Sequence, residues 1–573
     1  MLGMVFLGGC IALIVAYVTF GHFLTRQFNI DEKKVTPAVT MADGVDFVAT
    51  RRPILFGHHF SSIAGAGPIV GPIIAAGYFG WGPTVAWVLL GAIFIGGVHD
   101  FAALVMSVRH RARSIAEICR IYLNPITYRF FLIFIWLALV YVLIVFLDLT
   151  ALTYAPSRPE MLGQGGVVAT ASILYIVLAA TFGLCMRRFG LSLFKGSLVF
   201  VPLVFVTLAV AHWAPLTADL LPAPIRGNPK YTWSILLIGY CFVASITPVN
   251  ILLQPRDYLS SYLLFACLVF GGLGLILGSF AGDLSPNLEF FKGIHPENAP
   301  YLFPMLFITV ACGACSGFHS LVSSGTTAKQ LPDETAARPI AYGGMLTEGA
   351  LAVIAMATLV VVGGKAAGTP TATFAQGIGM FLASFGLPTH IGTAFGLLAV
   401  STFLLTTLDT CTRLTRYLVE EFLNLRGPRW RYLSTIVTIL PLMFFAFVEF
   451  PDPKNSAAMI PAWRAIWPAF GTTNQLLAAL ALLVIVIWRK SQGRSIWFVA
   501  WPMVFMMITT CTSMVMLIKT HLFADELTSR LIGWVNVVMM AMTVVLVVDT
   551  VLSWGKLGAR PAPEESGVEA AAG

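Results

Sequence analysis

The stretch RPILFGHHFSSIAGAGPIVGPIIAAGYFGW, Arg52 to Trp81, decides how this chain is read. It is apolar and nearly long enough to cross a bilayer. It also holds His58, His59, Ser61 and Ser62 with six glycines and three prolines, which a lipid-facing helix has no use for. In hydrocarbon every backbone N–H and C=O needs an internal partner, so a broken helix survives only where protein or a cavity surrounds it. Gly65, Gly67, Pro68, Gly71 and Pro72 put the break near the middle.

The surrounding chain is a membrane protein. It is 58% hydrophobic and 11% charged, with a mean hydropathy of +0.84; soluble domains are about 45–50% apolar and about 25% charged. Runs such as Met1–Leu24, Trp81–Met106, Phe130–Thr150, Leu191–Val210, Tyr262–Phe280 and Leu531–Val551 carry at most one formal charge each. Each is long enough to cross about 30 Å of hydrocarbon as a helix. Met1–Leu24 lacks a basic start and is too long for a signal peptide. Spans are expected to start near residues 2, 54, 83, 130, 166, 191, 232, 258, 301, 340, 391, 432, 462, 496 and 531. The fold class is therefore an all-α polytopic bundle of about 15 spans, with a range of about 14 to 18.

Lys and Arg orient it. With the N-terminus outside and the C-terminus cytoplasmic, most of the 35 basic residues fall on inner loops, as the positive-inside rule requires. The same bias accounts for the net charge of +8 and the pI near 9.0, so no nucleic-acid partner is implied. If the short apolar stretch Thr373–Phe385 crossed the membrane, the Arg413–Arg431 loop would flip outside, so it reads as a re-entrant or surface hairpin on the outer side. The expected organisation is an N-terminal span and loop (1–50), a core (51–488), two further spans (489–554) and a disordered tail (555–573).

A second interrupted stretch, YLFPMLFITVACGACSGFHSLVSSGTTAKQL (Tyr301–Leu331), has Gly313 and Gly317 at its centre. By the charge count the two stretches run in opposite senses, the sequence pointer to an inverted-repeat secondary transporter with a site at the midplane. No Walker A, HExxH or Gly-x-Ser-x-Gly motif is present, so neither ATP-driven transport nor hydrolysis has support, and no enzyme activity is expected.

Five motifs, the Arg51–Trp81 stretch, GGVHDF (96–101), ITPVNILLQPRDYLSSYLL (246–264), SGFHSLVSSGTTAKQL (316–331) and LDTCTRLTRYLVEEF (408–422), resemble the carbon starvation protein A (CstA) family. The resemblance implies a bacterial inner-membrane importer of short peptides or pyruvate, used when preferred carbon runs out. It also implies a relation to the amino acid–polyamine–organocation superfamily, whose LeuT-like core is two five-helix inverted repeats. In that core an outer hairpin follows the seventh helix, where Thr373–Phe385 lies. An extra hairpin is expected between Phe130 and Phe280.

Polar residues inside spans are functional suspects. Half-helices starting after the two breaks would direct unpaired N–H groups at a substrate carboxylate, which makes Ser61, Ser62, Gly65, Gly67, Cys312, Ser316, Gly317 and Asn250 the candidate substrate set. Glu348 has no basic neighbour in sequence and is the first proton-carrier candidate, because a desolvated carboxylate tends to take up a proton. Asp409 shares a helical stripe with Thr402, Thr406, Arg413 and Arg416, and either couples transport or pairs with Arg413. Ser401, Thr402, Thr406 and Thr407 could offer hydroxyls to a small cation; bonding back to their own helix is the plainer reading. Asp100 and His59 complete the coupling set, with structural hydrogen bonding as the alternative. Gln254, Arg256 and Asp257, in QPRDY, read as a Pro-broken inner turn that gates. Asn474 and Gln475 are either interhelical glue or pocket lining.

Nine cysteines scattered through spans do not form a disulfide framework. Cys312, Cys315 and His319 fall at i, i+3 and i+7, a face that a soft metal would accept, although small-residue packing explains the same letters. Three classes compete: a proton- or sodium-coupled importer, a passive channel, and a metal or haem redox protein built on His58, His59, His99, Cys312, Cys315 and His319. No cofactor is firmly implied beyond a coupling cation. The partners implied are a small substrate and the bilayer, with no oligomeric state specified.

Overall fold

Among the described residues, fifteen long helices or broken pairs follow the expected starts along the chain, and a shorter helix lies at 370–383, where the hairpin is expected. The computed structural model describes every residue except 45–46, 156–161, 217–219, 221–227, 249–251, 298, 364–367, 426, 453–454 and 556–573. The tail from 556 onward and Asn250 lie outside the described residues. The chain begins with α1 (Leu2–Gln27), the broken pair α2 (Arg52–Ile63) and α3 (Gly67–Phe79), then α4 (Trp81–Arg109) and α5 (Pro125–Tyr154). It continues through α6 (Leu162–Arg188), α7 (Leu193–Trp213), α8 (Pro229–Ile246) and α9 (Leu253–Ala281). The second broken pair is α10 (Leu302–Thr309) and α11 (Gly317–Gly325), followed by α12 (Glu334–Val362), the short α13 (Pro370–Ala383) and α14 (Thr389–Phe422). After α15 (Pro428–Phe445) a two-stranded antiparallel ribbon pairs Glu449–Asp452 with Asn455–Pro461. The last three are α16 (Ala462–Ser491), α17 (Trp497–Leu522) and α18 (Leu527–Ser553).

Among the described residues eleven helices are long and apolar enough to cross a membrane, or twelve if the bent pair α2–α3 is one span. The other helices expected as spans, α8, α15 and the pair α10–α11, are shorter or more polar. Four helices, α6 to α9, lie between α5 and the second break, matching the extra hairpin expected there.

Burial sorts the helices into a core and a jacket. α16 is the axis: Leu476 to Trp488 are all at most 6% exposed, which suits a helix that is apolar all round. α5 packs on both α14 and α16, and α17 lies between α16 and α18. Leu7, Ile11, Ile14, Val504, Ile508, Val544 and Val548 are exposed, so α1, α17 and α18 offer their outer faces to lipid. α13 is a 14-residue helix that packs against α14, α12 and α3, too short to span.

Both interrupted stretches are broken in the structure. α2 ends at Ile63 and α3 begins at Gly67 with Pro68 in its first turn, bent by 43°; proline is at home there because that N–H has no intrahelical partner. The second break runs through Gly313, whose φ of +84° is the left-handed region that favours glycine. A Cβ there would also meet the Ala352 Cβ at 2.7 Å. The breaks face each other: Gly67 lies against the Cys312 side chain, Pro68 against Gly313, and a Cβ on Gly71 would stand 2.6 Å from the Thr309 carbonyl oxygen.

Candidate functional site

Unwound backbone at membrane depth needs partners, and α16 supplies them. Asn474 Oδ1 accepts from the Phe318 N–H (3.0 Å), while Nδ2 donates to the Ala311 carbonyl (3.1 Å) and Ser316 Oγ (3.0 Å). Gln475 Nε2 donates to the Phe307 and Val310 carbonyls at 3.2 and 3.0 Å. These two side chains tie α16 to the second break, so of the two readings the sequence allowed, glue describes them.

Two buried polar clusters flank the breaks. In the first, Arg256 and Asp257 of α9 are 0% exposed. The guanidinium holds Asp409 of α14 through both terminal nitrogens (Nη2 to Oδ1, 2.9 Å) and donates to Asp257 Oδ1 at 2.6 Å. Asp257 Oδ2 lies 3.0 Å from His58 Nδ1, and the Asp257 carbonyl accepts from Ser61 Oγ at 2.9 Å. Tyr240 donates to Asp409 Oδ2 at 2.8 Å and accepts from Arg256 at 2.7 Å. One guanidinium faces two carboxylates, leaving one negative charge in excess that a proton on the cluster would balance.

The second cluster lies at the second break. Asp100 of α4 accepts from His99 Nδ1 (2.7 Å) and His319 Nδ1 (2.8 Å). His319 Nε2 stands 3.4 Å from Glu348 Oε2, and Glu348 Oε1 accepts from the Gly313 N–H at 3.1 Å. Cys312, His319 and Glu348 each bring one possible ligand atom within 4.8 Å of the others, so a metal could be held there.

Several expectations are corrected. QPRDY is not a broken turn: it opens α9, with Pro255 at a first-turn position whose N–H would have no intrahelical partner. Arg256 and Asp257 are thereby buried, while Gln254 donates to Gln330 Oε1 at 3.1 Å. Asp409 does not pair with Arg413, which donates instead to the Ala244 and Thr247 carbonyls at 2.6 and 2.5 Å. Glu348 has no basic neighbour in sequence, but in space His319 reaches it from another helix. Cys315 is absent from the Cys312–His319 cluster, since the break interrupts the helical spacing that would have aligned the three; its Cα lies 3.1 Å from where a Gly96 Cβ would be.

In the substrate set, Ser62 bonds back to the His58 carbonyl at 2.8 Å, and Gly65 lies against Thr407 Oγ1 and Phe146. The glycine faces at Gly65, Gly67 and Gly317 are filled by protein, and the Phe318 N–H of α11 is already capped by Asn474. The hydroxyls of Ser401, Thr402, Thr406 and Thr407 all bond to carbonyls of their own helix, at 2.8 to 3.2 Å. His59 Nδ1 lies 2.9 Å from Thr327 Oγ1. Tyr240 and Thr327 escaped the sequence reading, because a lone hydroxyl in an apolar run carries no signal of its partner.

The family model described as "Carbon starvation protein CstA" matches residues 2–368 and 363–513. The Campylobacter jejuni protein named "Peptide transporter CstA" is 31% identical, over 87% of this chain and 78% of its own length. Its Escherichia coli namesake is also 31% identical, covering 88% and 79%. The Escherichia coli "Pyruvate/proton symporter BtsT" is 29% identical, covering 87% and 79%. A solved structure of an Eremococcus coleocola manganese transporter superposes with a TM-score of 0.51 at 12% identity, covering 90% of this chain and 99% of its own. That likeness concerns the fold, which is LeuT-like. With broken helices, buried charge clusters and these relatives together, the chain is a multi-pass membrane transporter, not an enzyme, and it belongs to the CstA family.

Proposed function

We propose that the protein is a proton-coupled, secondary-active importer of small carboxylates, short peptides or pyruvate, in the bacterial inner membrane, active during carbon starvation. Its N-terminus is outside and its C-terminus cytoplasmic. The observation that carries the reading is the Arg256–Asp409–Asp257–His58 cluster, which joins the first half of a broken helix to α9 and α14. Its excess negative charge is balanced by one proton, and taking up or losing that proton changes how firmly α2 is held to its neighbours. The hydroxyls of Ser401, Thr402, Thr406 and Thr407 donate to carbonyls of their own helix and keep their oxygen lone pairs, so they do not distinguish sodium from a proton. Against sodium, Asp409 of α14 already has the permanent cation of Arg256 as its partner. Of two relatives, one is named for peptides with no ion, and one for pyruvate and protons.

The substrate is received at the paired breaks, by Ser61, Gly65, Gly67, Cys312, Ser316 and Gly317, in a state where α14, α16 and the unwound segment have separated from the glycines they cover here. Peptides and pyruvate share a carboxylate, and a helix N-terminus stabilises an anion by about 0.3–2 kcal/mol depending on burial. In proteoliposomes, pyruvate or a dipeptide is expected to compete with the labelled substrate, and its methyl ester or amide to compete poorly. Equal competition by the charged and blocked forms would remove the carboxylate from recognition.

A further inference from the structure

His319 Nε2 and Glu348 Oε2 face each other across 3.4 Å at the second break. His319 Nδ1 lies 2.8 Å from Asp100 Oδ2, so the neutral ring that donates Nδ1–H to this carboxylate offers its Nε2 lone pair as a ligand. That lone pair is aimed at Glu348 Oε2, and neither atom has a hydrogen-bond partner among the described residues, although both residues are 0% exposed. Cys312 Sγ completes the triangle, all three ligand atoms lying within 4.8 Å of one another. A proton or a metal ion held between these atoms satisfies both, and the third ligand atom is what favours a metal.

We propose that Cys312, His319 and Glu348 bind one divalent transition-metal ion of the zinc class, with a fourth position left open. Thiolate, imidazole and carboxylate are the zinc donor set, and three protein ligands with one open position is a common coordination. The surroundings suit a metal. Asp100 holds the far nitrogen of His319, the outer carboxylate that orients a ligating histidine. The Gly313 N–H holds Glu348 Oε1 at 3.1 Å and leaves Oε2 free. Asn474 Nδ2 lies 3.7 Å from Cys312 Sγ, placed to stabilise the thiolate that forms when binding releases the thiol proton. The ligands come from the unwound segment, α11 and α12. A bound ion therefore joins three pieces that alternating access must move separately, and acts as a lock on the transporter.

Cobalt is the probe. Untagged full-length protein in detergent, stripped with chelator, is expected to bind one Co²⁺ per chain with a thiolate charge-transfer band that Zn²⁺ abolishes. Cys312→Ser should remove the band and Cys315→Ser should keep it. Asp100→Asn should weaken binding about 10- to 100-fold, the usual effect of losing an outer partner. X-ray absorption of zinc-loaded unmodified protein needs no variant: one sulfur at about 2.3 Å among nitrogen and oxygen ligands at about 2.0 Å is expected. The proposal is overturned if the unmodified protein binds no ion, if the sulfur count is zero or above one, or if the band survives Cys312→Ser.

Discussion

Arg256 sits fully buried between two carboxylates that belong to different helices, and its removal tests the energetics at the residue scale. Arg256→Met leaves Asp257 and Asp409 uncompensated in a dry site. Breaking a buried ion pair from one side costs about 3–5 kcal/mol, so a large fall in thermal midpoint in detergent is expected; an unchanged midpoint would mean the carboxylates are already neutral. Asp409→Asn, by contrast, leaves one carboxylate for one guanidinium and keeps an acceptor for Tyr240. That variant should fold, lose proton-driven accumulation and still show substrate counterflow. Asn474→Ala should cost about 1–3 kcal/mol by orphaning the Phe318 N–H and the Ala311 carbonyl, read from the same melting curves. None of these partnerships was legible in the sequence. Arg256 and Asp409 are 153 positions apart, and local spacing offered Asp409 only Arg413.

At the scale of elements the sequence was more informative. Glycine and proline in the middle of an apolar run have few uses, so both breaks could be read directly, and hydropathy placed the helix starts. Spacing rules failed where a helix was assumed to continue: Cys312, Cys315 and His319 fall on one face only if the segment is helical, and it is not. The glycines were read as openings for a ligand, yet they are points of helix contact in this state. A Cβ at Gly317 would collide with the Asn474 carbonyl oxygen and stand 2.6 Å from the Ala478 nitrogen, backbone of the central helix α16. Gly317→Ala should therefore destabilise the protein by about 1–3 kcal/mol through overpacking. Gly239, in α8, has open space around it: a Cβ added there would meet no atom within 4 Å. Gly239→Ala should be neutral, or stabilising by up to about 1 kcal/mol from helix propensity. Similar melting points for the two alanine variants would contradict the close packing of α11 on α16.

At the scale of the whole molecule, the closed arrangement is one station of a cycle. Gly65, Gly67 and Gly317 are covered by Thr407, Cys312 and α16, and the charge cluster ties α2 to α9 and α14. Opening must separate these contacts, and in the proposed cycle a proton on the Asp257–Asp409–His58 cluster loosens them. The central claim is that the proton gradient, not sodium, drives accumulation. It is tested by uptake of labelled pyruvate and of a labelled dipeptide into sodium-free proteoliposomes with the outside made acidic. The account predicts that at least one of them accumulates above equilibrium and is lost again when a protonophore is added. Accumulation that requires a sodium gradient, or mere equilibration of both substrates, would contradict it.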